Sequence, residues 1–225
     1  MSVNKKKDKR LPLRFTSIVL LCVTIAVAVS LRSGGRKTYY TMPEALDKTV
    51  IVVDGTELTV QDVAFYIAYQ EQQVEKEAYT YNPKDTGEYW RSYTNGTYIR
   101  TEAKWAVVQM VVHDEIFYQF AKEEGLTLEE ADETYLANAQ YDFLSDLGEE
   151  GVAALGVSED VLKKSMEKIA LAEKGQQLYA KEHALEYDDY SVGSPAYTQL
   201  LEEHDYSVVD ENWNRVHFGS ITVNH

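Results

Sequence analysis

Seventeen consecutive residues, Phe15 to Leu31, carry no charge, and a dense basic stretch comes immediately before them. Such a run lacks the polar face that a helix on the surface of a water-soluble core needs. At 1.5 Å per residue it makes about 26 Å of helix. Adding Leu11 to Arg14, with Arg14 snorkelling, gives about 31 Å, enough for a hydrocarbon core of roughly 30 Å. Residues 1–14 therefore read as a basic cytoplasmic segment and 15–31 as a transmembrane or signal segment. Positive residues are denser before the run than after it, which places the N-terminus in the cytoplasm and the rest of the chain outside a cell membrane crossed once. Three fates of the segment stay open. It is a retained signal anchor, or a signal peptide cleaved at Ala26-Val27-Ala28 or Ala28-Val29-Ser30, or a lipid attachment site at Cys22. Leu20-Leu21 before the cysteine speak against the last, since acylation sites want a small residue there.

Charge is split along the chain. Nine of the 22 Lys and Arg and one of the 37 acids precede Thr38, which leaves 13 basic against 36 acidic residues and a net charge of −23 on the rest. Such a body repels phosphate backbones and anionic lipid headgroups, so nucleic acid is not an expected partner. Cys22 is the only cysteine, so the body holds no disulfide, no thiolate nucleophile and no cysteine-ligated metal.

Residues 32–47 read as a tether and 48–225 as one folded module. Its first element is a short β-branched strand, Thr49 to Val53, closed by the turn pair Asp54-Gly55. Thr59 with Asp62 forms a capping box before a helix over about 60–78, which puts Val60, Val63, Ile67 and Val74 on one stripe. A long helix is predicted from about Tyr98 to Glu124 with Ala103, Val107, Met110, Phe117 and Ala121 inward, ended by Gly125. Thr127 with Glu130 predicts a second capping box and a helix to about Leu147. Ser158 opens a further helix over about 159–185, with Leu162, Met166, Ile169 and Ala172 inward. Ser194-Pro195 starts a short one that runs to about His204. The segment Arg215 to Val223 reads as a strand. A lone strand is not stable, so its expected partner is Thr49 to Val53, giving a two-stranded sheet that joins both ends of the body. The predicted class is mainly α, in an α+β arrangement.

No motif signals catalysis. The five histidines, His113, His183, His204, His217 and His225, include no pair at i,i+3 or i,i+4 and no His-Glu-x-x-His, so no metal site or cofactor is expected. Ser165-Met-Glu-Lys168 matches Ser-x-x-Lys, but the Ser-Asp-Asn and Lys-Thr-Gly elements that accompany it in penicillin-recognising enzymes are missing. Acidic pairs such as Glu129-Glu130 point in different directions on a helix and read as a solvated face. The informative excess is aromatic, with 17 Tyr and three Trp. Tyrosine and tryptophan make rigid amphipathic contacts with peptides. The segment from Tyr79 to Tyr98 supplies the candidate peptide-binding residues Tyr81, Tyr89, Trp90, Tyr93 and Tyr98.

Several motifs occur in a characteristic order. A strand ends in Val53-Asp54-Gly55 and the capped helix Leu58-Thr-Val-Gln-Asp62 follows. Then come Glu115-Ile-Phe-Tyr-Gln-Phe-Ala121-Lys-Glu-Glu-Gly125-Leu-Thr127 and Leu155-Gly-Val-Ser158. This order resembles the N-terminal chaperone module of the SurA/PrsA family of extracytoplasmic foldases. The resemblance covers about Val50 to Glu186 plus the terminal segment. It implies a helical module, completed by a returning strand, that binds exported or unfolded polypeptides non-covalently as a holdase or assembly factor. The parvulin-type isomerase domain of the family has no counterpart after Glu186, so catalysis is not expected. A scaffold for one dedicated envelope partner and a residual prolyl isomerase are the alternatives.

Overall fold

The computed structural model describes residues 39–94 and 96–223. The basic segment, the apolar run and the first part of the expected tether lie outside the described residues. The body begins earlier than residue 48. Tyr40 N–H already donates to the Arg215 carbonyl at 2.9 Å, and α1 (Met42–Ala45) follows with Met42 and Ala45 buried. Pro43 sits in the first turn, and the Glu44 carboxylate accepts from Thr41 N–H and Oγ at 3.0 and 2.9 Å. A proline and a capping box start a helix; here they turn part of the expected tether into folded structure.

The small sheet has three strands, not two. Strand β1 (Thr49–Val53) turns through Asp54 and Gly55, at φ of 47° and 81°, into β2 (Thr56–Thr59), with Val53 opposite Thr56 and Ile51 opposite Leu58. Positive φ at both central residues is what a tight two-residue hairpin demands. The other edge of β1 pairs antiparallel with β5 (Tyr206–Val208), Ile51 opposite Val208 and Val53 opposite Tyr206. The ends of the body do meet on β1, but Arg215 to Val223 is not the strand that meets it. That segment forms irregular turns, with Val216 and Phe218 buried. Its backbone cannot run as a ladder, because Gly219 has φ of 78° and the amides of residues 219–222 all converge on Glu71.

Helix α2 (Ala64–Tyr81) starts later than the capping box suggests, although Thr59 N–H does donate to Asp62 at 2.8 Å. Val60, Val63, Ile67 and Val74 are all buried. A short α3 (Thr86–Trp90) and the ribbon β3 (Tyr93–Thr94) with β4 (Thr97–Tyr98) lead into α4 (Ile99–Glu123). Helix α5 (Glu130–Leu155) is capped at Glu129, whose N–H donates to Asp132 at 2.9 Å, so the predicted Thr127–Glu130 box is two residues early. It runs through a kink at Gly148, at φ 68°, where the sequence suggested an end. Only Leu147, Gly151 and Leu155 of α5 are buried, all in its C-terminal part.

Helix α6 (Glu159–Glu182) lies against α4 along the core. The contact is close because Gly175 faces the Phe117 carbonyl; a Cβ there would lie 2.3 Å from that oxygen. An ion pair between half-buried Lys168 and buried Glu115 joins the two helices, and Gln119 also donates to Glu115 at 3.0 Å. A 3₁₀ turn (Tyr187–Tyr190), α7 (Pro195–Leu201), β5 and α8 (Asp210–Trp213) close the body. Ser194 caps α7 by accepting from Tyr197 N–H at 3.2 Å.

Candidate functional site

The five aromatic residues singled out from the sequence do not share one fate. Trp90 is a core residue, 1% exposed. Its indole N–H donates to Glu75 at 2.8 Å, and its ring lies 6.3 Å from that of Phe218, so it is removed from the candidate surface. It is buried because the irregular C-terminal segment needs a flat wall; a Cβ on Gly219 would meet the indole at 2.6 Å. The four tyrosines form two pairs. Tyr81 packs on Tyr89 with ring centres 5.5 Å apart, and the Tyr89 hydroxyl donates to Glu77, a bond that with burial pushes the phenol up to about 12. Tyr93 and Tyr98 face each other across β3–β4 at 5.0 Å, and Tyr93 is 62% exposed.

A concave site exists elsewhere. Between α2, α4, α5 and α6 lies an open cleft of about 410 Å³. Helix α2 contributes Phe65, Tyr66 and Tyr69, one turn of aromatic wall, and Phe65 also packs on Phe143 of α5 at 4.7 Å. Met110 and Met166 face it from α4 and α6, with Ile169 and Ala170, and α5 closes the far side with Tyr135, Leu136 and Ala139. The N-terminal half of α5 buries no side chain fully, and Tyr135 is 75% exposed. Its polar ties to α6 are Lys174, which bonds Asp132 at 2.5 Å and Glu129 at 3.4 Å, and Gln140, which donates to the Lys163 carbonyl at 3.1 Å. The Lys174 ammonium, and after it the Glu129 N–H, hold the Asp132 carboxyl below the usual carboxylate range.

The polar groups of the cleft are acidic. Asp114 accepts from the Tyr66 hydroxyl at 3.0 Å and pairs with His113 at 2.8 Å, while the other ring nitrogen of His113 meets the Tyr190 carbonyl at 3.1 Å. Burial, with Asp114 beside it, holds the Tyr66 phenol well above its ordinary value. Glu173 has no hydrogen-bond partner among the described residues. Its side chain is exposed, yet the neighbouring walls desolvate the carboxyl in part and the nearby Asp114 repels it, so its pKa is raised. Among the described residues no Lys or Arg lines the cleft. The nearest cations on α6 are engaged elsewhere: Lys168 with Glu115 and over the Tyr118 ring, Lys174 with Asp132 and Glu129.

The remaining candidates for chemistry among the described residues have structural partners, while His225 lies outside the described residues. Ser165 Oγ donates to the Val161 carbonyl at 3.2 Å while Lys168 turns to Glu115. His204 pairs with Asp54 at 2.7 Å, His183 bonds the Tyr179 carbonyl at 2.8 Å, and His217 stacks on Tyr39. Among the described residues no group of three His, Cys, Asp or Glu is placed to hold a metal ion, and no helix is long and apolar enough to cross a membrane.

The cleft was not singled out from the sequence, because its lining is spread over four helices. The one local signal was the spacing of Phe65 and Tyr69, a turn apart on the exposed side of a helix whose core stripe was already filled. In comparisons with protein-family models, with curated proteins and with solved structures, nothing matches this chain.

Proposed function

We propose that this chain is a membrane-tethered extracytoplasmic chaperone, a holdase or assembly factor that binds exported polypeptides without covalent chemistry. The observation that carries the reading is the open cleft walled by Phe65, Tyr69, Met110 and Met166. Thioether and aromatic walls adapt to unlike apolar segments, and weak contacts of this kind permit release. A body of net charge −23 keeps a bound, otherwise insoluble segment in solution. The order of motifs from Asp54-Gly55 to Ser158 supports the same reading, as does the basic-flanked apolar run that would tether the body outside the cytoplasm.

The test is suppression of aggregation. The full chain in nanodiscs, mixed with a denatured client diluted into buffer, lowers light scattering in proportion to its concentration. Ala139→Glu, which adds a charge inside the cleft, weakens the suppression while the melting temperature stays near wild type. No suppression by the wild-type chain refutes the function, and suppression unaffected by Ala139→Glu moves the client site away from the cleft.

A further inference from the structure

We propose that the cleft prefers client segments in which an arginine or lysine stands between apolar residues, with Glu173 receiving the cation. This rests on the reading of the cleft as a client site and names the chemistry it selects. An apolar opening formed by Phe65, Tyr69, Met110 and Met166 satisfies the flanking side chains. Two carboxylates share that opening, and among the described residues no Lys or Arg lines it. Asp114 is already bonded by Tyr66 and His113, so it supplies field more than a free acceptor. Glu173 is the acceptor left over: it makes no hydrogen bond among the described residues, and both α6 lysines near it are engaged by other acids.

The physical consequence is an apolar opening with a negative field that no cation among its described lining residues offsets. A carboxylate among apolar walls is poorly solvated, and a like charge beside it adds repulsion. Glu173 is exposed, so the walls remove only part of its water, and Asp114 adds like-charge repulsion; the two together raise its pKa. A guanidinium or ammonium entering with its apolar neighbours relieves both at once, and its long methylene stem lies along the same walls. A wholly apolar segment leaves the carboxylates more desolvated than before, which costs affinity. A segment carrying an acid is repelled.

The experiment compares two fluorescent peptides with one apolar sequence and, at the centre, either arginine or citrulline, its neutral counterpart of the same shape. Binding to the full chain in zwitterionic nanodiscs is read by anisotropy, with empty nanodiscs subtracted. The arginine peptide binds about fivefold more tightly, the size expected for a partly exposed ion pair, and added salt narrows the gap. Glu173→Gln erases the preference. Glu167→Gln, which removes the same charge from an exposed position of the same helix outside this cleft, keeps it. Equal binding of the two peptides overturns the proposal and leaves the client site standing. A preference that survives Glu173→Gln also overturns it, by assigning the effect to the net charge of the body. Failure of both peptides to bind overturns the proposal together with the client reading.

Discussion

Glu71→Gln is expected to destabilise the body more than any ordinary surface change, because one buried carboxylate holds the whole C-terminal segment. Glu71 lies in α2 and is fully buried. One of its oxygens accepts from the amides of Gly219, Ser220 and Ile221, and the other from the amide and hydroxyl of Thr222 at 2.6 and 2.7 Å. Five donors on one acceptor are what make an unpaired charge tolerable there. Glutamine keeps one oxygen and replaces the other with an NH₂ group, which faces the Thr222 amide donor to donor. The loss is that of two hydrogen bonds to a charged group, about 1.5–3 kcal/mol each. Part of it is offset, since a neutral amide costs less to bury. A net loss of about 2–4 kcal/mol follows, out of a typical total of roughly 5–15 kcal/mol. For a body of this size that lowers the melting temperature by about 5–15 °C. Trp90 and Trp213 both pack on Phe218, so tryptophan fluorescence during heating reports the change directly. A melting temperature within about 1 °C of wild type would refute the clamp.

Removing residues 215–225 takes away Val216 and Phe218, each worth about 1.5–3 kcal/mol of burial, and should leave the body unfolded or aggregated by the same melting assay. Gly175→Ala places a methyl 2.3 Å from the Phe117 carbonyl, so α4 and α6 must part; calorimetry should show a loss of about 1–3 kcal/mol. Glu173 has a raised folded pKa, caused by desolvation and Asp114. Its contribution is therefore fully present below the ordinary carboxyl value of 4.5 and is lost as pH rises through the folded value. Glu173→Gln should accordingly stabilise the body at neutral pH, by no more than about 1 kcal/mol for so exposed a group, and leave it unchanged below that window; a gain that persists in acid would refute the cause. The full chain should not accelerate isomerisation of a proline-containing peptide, a reaction slow enough uncatalysed, tens of seconds or more, that real catalysis is plain; a rate proportional to protein concentration would restore the enzyme reading.

The helices were legible where one face alone decides them. Val63, Ile67 and Val74 repeat at helical spacing and are buried, Gly125 stops α4 at φ 67°, and Ser194-Pro195 starts α7. Pairing that runs through the backbone was not legible. In Thr56–Thr59 only Leu58 turns inward, and Tyr206–Val208 is too short to show a period. The alternation of Val216, Phe218 and later apolar residues imitates a strand, whereas the deciding partner, Glu71, lies 148 positions from Gly219 within a helix. Trp90 misled for a similar reason, since nothing local distinguishes a tryptophan that walls a buried turn from one that meets a client. The cleft depends on how four helices meet, which no single stretch encodes.

Site-specific photocrosslinking in the native envelope tests most directly whether polypeptides bind in the cleft, as proposed. A photoreactive phenylalanine is placed at Tyr69, in the cleft wall, or at Tyr81, in the exposed tyrosine pair. Crosslinks from position 69 to many different exported polypeptides, with few from position 81, are the predicted result. A silent position 69, or a single product from it, would contradict the chaperone reading.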